Sequence, residues 1–149
     1  MSRPLALEII CSLLILLFTY AAISKLLEYR LFQIQLSRDP YIAAFAPLLA
    51  WALPCVELLL VVALAVPVLR LSGLYLSLLL LAAFTCYITG ALQFSDTIPC
   101  SCGGVISTLS WKQHIAFNLF FMVLSLTGVL LIKKPAFLQL SLPHKPTHP

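Results

Sequence analysis

Apolar positions in this chain fall into four long runs, without the two-residue alternation of a half-buried strand. The first extends from Leu5 to Ile23, interrupted by Glu8 and small polar residues; the second runs from about Phe45 to Val66. The third covers Leu71 to about Leu92 and the fourth about His114 to Ile132. A helix rises ~1.5 Å per residue, so ~20 residues cross a hydrocarbon layer of ~30 Å. Only helices and closed barrels satisfy their backbone groups in lipid, and unbroken apolarity selects helices. The pattern predicts an all-α fold, an integral membrane four-helix bundle.

The connections are unequal. Lys25 to Ala44 is a polar and amphipathic stretch, whose Leu27–Phe32 segment either lies along the membrane interface or extends the first helix. Pro67 to Arg70 is a tight turn. Gln93 to Lys112 carries Asp96, Pro99, two cysteines and Gly103-Gly104. Residues 1–134 are expected to form one membrane domain and residues 135–149 a mobile, proline-rich tail. The Ala21-Ala22 pair offers only a weak signal-peptide cleavage site, and the first run is longer than a signal core, so it is read as a retained span.

Composition supports the lipid reading. The chain is 62% hydrophobic and 9% charged over 149 residues, where a soluble domain carries about 25% charge. The net charge of +4 comes from basic residues between or beyond the apolar runs; without a basic stripe to follow a phosphate backbone, no nucleic-acid partner is expected. Four spans put both termini on one side. Arg3, Arg70, Lys133, Lys134 and Lys145 lie there, against Lys25, Arg30, Arg38 and Lys112 opposite. Lys and Arg counts thus lean towards cytoplasmic termini, in a bacterial inner membrane, with the cysteine-bearing connection outside. Tyr20, Tyr29, Trp51, Tyr87 and Trp111 fall towards that outer side, as an aromatic belt would.

Five cysteines are many for this length. Cys100 and Cys102 flank Ser101 behind Pro99. Fully extended, their Cα atoms stand ~6.6–7.2 Å apart, beyond the ~5.5–6 Å that disulfides prefer. A bend at Pro99 or the glycines would close a small, strained and easily reduced ring, better suited to exchange than to stapling. In exchange, one thiolate attacks a partner disulfide and the other thiol releases the mixed disulfide. The alternatives are a static pair of sulfurs or a metal site formed by Cys100, Cys102 and His114, although the spacing is not the usual zinc pattern. Cys86, ~9 Å below the outer end of its helix, is a further redox candidate or an ordinary packing residue. Cys55 is a weaker candidate, and Cys11 lies near the opposite face.

Among intramembrane polar residues Glu57 stands out, ~15 Å deep when counted from Pro47. A carboxylate there must face protein, either to handle protons or bind a redox partner, or to hydrogen-bond across the bundle. Cys55, ~200° away around the same helix, should face elsewhere. Pro54 removes a backbone donor one turn earlier. Lys25 either snorkels to water or pairs with an acid of the second helix or a loop.

Three segments carry a family resemblance: Tyr20-Ala-Ala-Ile-Ser-Lys-Leu26, Leu53-Pro-Cys-Val-Glu-Leu58 and Pro99-Cys-Ser-Cys-Gly-Gly104. Across roughly residues 5–132 the chain resembles the MauE/DoxX family of redox-associated membrane proteins, especially the methylamine-utilisation branch. The resemblance implies membrane-bound disulfide or electron-transfer chemistry with a thioredoxin-like extracytoplasmic partner, and maturation of methylamine dehydrogenase in methylamine metabolism. It places Cys100 and Cys102 in the redox centre and makes Glu57 and Lys25 recurring features. Gly103 directly after Cys102 departs from the aromatic residue common in that branch. No covalently bound cofactor is expected; a membrane quinone is the candidate acceptor, and membrane lipids surround the fold. A non-enzymatic assembly or scaffold factor and a cysteine-based metal delivery protein are the competing functions.

Overall fold

The computed structural model describes residues 3–38, 42–94 and 111–140. Helices α1 (Arg3–Leu27), α2 (Tyr29–Ser37), α3 (Ala46–Ala65), α4 (Arg70–Phe94) and α5 (Trp111–Leu140) follow in order, and a 3-10 turn at Ala43–Phe45 leads into α3. Four segments have the length and apolarity to cross a membrane: Pro4–Leu27, Ala43–Ala65, Arg70–Gly90 and Lys112–Lys133. These are the four spans expected from the apolar runs, in an essentially all-α bundle. Helix α1 continues past Ile23, and α5 continues past Lys134. Residues 141–149 of the expected tail lie outside the described residues.

Helix α1 packs on α3 and α4 packs on α5, while α3–α4 and α1–α5 contacts close the bundle. The inward stripe of α1 is Ile10, Leu14 and Phe18, at the i, i+4 spacing that lines one helix face. It meets Leu60 and Leu64 of α3, Leu74 and Leu81 of α4, and Phe121 and Val129 of α5. The outer faces are equally apolar, with Leu16, Leu59 and Leu79 each about two-thirds exposed. Water would penalise that surface, whereas lipid tails do not. Buried hydroxyls close bonds within their own helices: Ser77 donates to the Gly73 carbonyl at 2.7 Å and Ser125 to the Phe121 carbonyl at 2.9 Å.

The Leu27–Phe32 segment does not continue α1. The backbone leaves helical geometry at Glu28 (φ −107°, ψ 34°), and α2 folds back over the start of α3. The pattern explains this turn: Phe32 and Leu36, four residues apart, bury against Ala46 and Ala50, while Arg30 and Leu31 remain outside. The Tyr29 ring meets Trp51 with centroids 5.4 Å apart. One end of the bundle is thereby roofed by a short amphipathic helix.

The other end is tied by a different contact. Arg70, at the start of α4, donates to both carboxylate oxygens of Glu8 in α1, at 2.6 and 3.1 Å. Its Nε also donates to the Leu64 carbonyl in the last turn of α3, at 3.3 Å. One guanidinium thus joins three helices across the tight turn.

Candidate functional site

Under the α2 roof, Lys25 and Glu57 meet. Lys25 sits near the C-terminal end of α1, one turn after Ala21, whose carbonyl accepts a bond from Nζ at 3.2 Å. Nζ also donates to Glu57 Oε1 at 2.7 Å. Neither side chain reaches the surface: relative exposure is 6% for Lys25 and 1% for Glu57. Of the two arrangements open to Lys25, the snorkelling one is therefore replaced by pairing with the second-span acid. The reason is α2, whose Phe32 and Leu36 cover the route to water. The ammonium lies 5.9 Å from the ring centroids of both Phe32 and Phe84, distances that add a cation–π attraction.

Glu57 belongs to the inward stripe Ala46, Ala50, Pro54, Glu57, Leu60 and Leu64 of α3. Pro54 lies one turn before it, and α3 continues through that proline. As expected from the helical angle, Cys55 faces the other way and is exposed. Glu57 Oε1 is taken by Lys25, but Oε2 is buried and has no hydrogen-bond partner among the described residues. Such an acceptor is rare in a folded interior and costs about 1–3 kcal/mol of desolvation, more when charged.

The orphan oxygen belongs to a residue lining a cavity of about 260 Å³. All five helices contribute to its wall, including Phe18, Ala21 and Lys25 of α1, and Phe32 and Leu36 of α2. Leu49, Leu53 and Glu57 come from α3, Phe84, Tyr87 and Ile88 from α4, and His114, Phe117 and Asn118 from α5. Its wall is mostly apolar with a few polar groups, the pattern of small-molecule sites. Asn118 Nδ2 donates to Thr85 Oγ1 at 3.4 Å, a contact that joins α5 to α4 beside the cavity.

Of the residues singled out from sequence, the fold brings Lys25, Glu57 and His114 to one cavity. Cys86 is exposed on α4 and is not among the cavity-lining residues; Cys11 is buried in the core. Cys11, Cys55 and Cys86 are all free thiols. Cys100 and Cys102 lie outside the described residues, and with them any metal site shared with His114. Among the described residues no group of three metal-ligating side chains occurs. The connection that carries Cys100 and Cys102 leaves α4 at Phe94 and returns at Trp111, both at the cavity end of the bundle.

Sequence reasoning missed the Glu8–Arg70 contact and the place of Tyr87 and Asn118 on the cavity wall. The first had a signal: an acid early in one span and a base at the start of the third lie at the same membrane face. The second had none, because helix rotation decides which polar side chain faces inward.

No curated protein matches the chain, and no solved structure matches it. Residues 3–131, which include the ion pair, the cavity and the cysteine-bearing connection, match the family model described as methylamine utilisation protein MauE, and the chain belongs to the MauE family.

Proposed function

We propose that this protein is a membrane-bound thiol–disulfide electron-transfer protein, working with a thioredoxin-like partner outside the cytoplasm. Family membership supports a redox-associated membrane role. The observation that carries the finer reading is topological: the connection bearing Cys100 and Cys102 starts and ends at the bundle end that holds the buried Lys25–Glu57 pair and its cavity.

One thiolate, from Cys100 or Cys102, attacks the partner disulfide and releases one partner thiolate. The second cysteine then attacks the mixed disulfide, leaving a Cys100–Cys102 disulfide and a fully reduced partner. Two electrons and two protons change hands, and the reverse sequence oxidises the partner. In that reverse direction a membrane quinone is the acceptor class, because it takes up the two electrons and two protons released when the Cys100–Cys102 disulfide re-forms. The reading puts both termini in the cytoplasm of a bacterial cell and the dithiol on the far side of its inner membrane.

Thiol trapping in native membranes tests it. Of the variants Cys100→Ser and Cys102→Ser, one should hold a mixed disulfide with a thioredoxin-like protein, while the double variant should hold none. A double variant with undiminished biological activity would assign the protein to scaffolding instead. Stoichiometric metal, lost in that double variant, would assign it to metal delivery.

A further inference from the structure

We propose that the cavity beside Glu57 is a binding site for the hydroxylated ring of a membrane hydroquinone, with a ring hydroxyl donating to Glu57 Oε2. The inference deepens the redox reading by siting the reduced form of its acceptor, yet the binding itself requires neither Cys100 nor Cys102.

Three observations converge on this ligand chemistry. The first is the orphan acceptor: Glu57 is 1% exposed, Oε1 is engaged by Lys25, and Oε2 is buried without a partner among the described residues. A buried oxygen of this kind calls for a donor. The second is charge. An anion would meet the Glu57 carboxylate, and a cation would compete with Lys25 at 2.7 Å, so the donor that fits is a neutral hydroxyl. The third is shape. About 260 Å³ of space, bounded by apolar walls and the rings of Phe32, Phe84 and Phe117, admits one substituted ring. Aromatic neighbours favour a flat ring in offset or edge-on contact. The site lies within membrane-spanning helices, so a ligand dissolved in lipid has access that a water-soluble one lacks.

A hydroxyl on a lipid or a long-chain alcohol shares the donor chemistry, and a trapped water would satisfy the same oxygen. Binding measurements on the full chain in lipid nanodiscs separate these sources. The probes are a decyl-tailed hydroquinone, its dimethyl ether, which keeps the ring but has no donor, and a long-chain alcohol. The hydroquinone should bind one per chain, about tenfold or more tighter than the ether, as expected for a hydrogen bond to a charged group. It should also bind more tightly than the alcohol. Ile88→Trp, at a buried position of the cavity wall on α4, takes up space needed by the ring and should weaken hydroquinone binding by about tenfold or more. The paired variant Lys25→Met with Glu57→Leu removes both charges and the acceptor oxygens together and should erase the preference for hydroquinone over ether.

Equal binding of hydroquinone and ether would overturn the proposal, as would an alcohol that binds as tightly. Failure of Ile88→Trp to weaken binding would overturn it too. The Cys100→Ser/Cys102→Ser chain separates the two readings: retained binding without any trapped partner in the single-cysteine variants sinks the exchange reading alone. Trapped partner without hydroquinone binding sinks the site alone.

Discussion

Lys25 donates to Glu57 across 2.7 Å, from the end of α1 to the middle of α3, and α2 closes the space above them. A charge pair so placed stands against two desolvation penalties, and each charge is tolerable only because the other is there.

Removing one partner should therefore cost more than removing both. Lys25→Met leaves a buried carboxylate unpaired and should destabilise the protein by about 3–5 kcal/mol. Adding Glu57→Gln should recover most of the loss, since a neutral pair of similar volume is often no less stable than a buried ion pair. Unfolding by denaturant in detergent micelles measures both; a double variant as unstable as the single one would contradict the argument.

The contact at the other end predicts the opposite scale. Glu8 is 55% exposed at the side chain, so Glu8→Gln should cost about 0.2–1 kcal/mol, as for exposed ion pairs. The loss should shrink with added salt. A salt-independent loss of several kcal/mol would show that this end is buried in the membrane more deeply than its exposure implies.

Two glycines mark where helices approach closely, and they should respond differently to a methyl group. A Cβ on Gly128 would come within 3.0 and 3.1 Å of the two Leu74 methyls and 3.4 Å of Ile10, all of them side-chain atoms. A Cβ on Gly73 would meet the backbone carbonyl carbon of Ala63 at 3.2 Å as well as Leu64. Gly73→Ala should therefore lose about 1–3 kcal/mol through overpacking. Gly128→Ala should lose less, because its nearest contacts are side-chain atoms alone, whereas helix propensity favours Ala at both positions. Thermal unfolding of the two variants checks the ranking.

Cys55 and Cys86 point away from the cavity and are exposed on the lipid-facing surface. Replacing both with Ala should change stability by no more than about 0.5 kcal/mol, as at surface positions without special contacts. Partner trapping by the single-cysteine variants at 100 and 102 should persist in that background. Loss of trapping would bring Cys86 into the exchange pathway.

Much of the bundle was legible along the chain. Four runs of membrane length, a tight turn at Pro67–Arg70 and a longer connection with two cysteines follow from local composition, and lipid leaves a long apolar run few structures besides a helix. Glu57 was legible as a residue in need of company, because a carboxylate at that depth cannot remain bare. Its partner was not. Lys25, placed near a helix end, satisfies the same local rules whether it reaches outward or inward. The amphipathic pattern of Leu27–Phe32 likewise allowed a straight extension of α1 or a helix along the membrane interface, and did not show that it folds back on α3.

By itself, then, the sequence determined the solvent, the number of spans and the presence of a costly buried acid, all of which depend on hydrophobicity summed over single helices. The fold alone decided that α2 turns back, that Lys25 is shut in with Glu57, and that five helices leave a cavity lined by Glu57, one of whose oxygens has no partner among the described residues. Those outcomes depend on helix rotation and on contacts between residues distant in the chain, where alternatives close in hydrophobic energy are separated by packing alone.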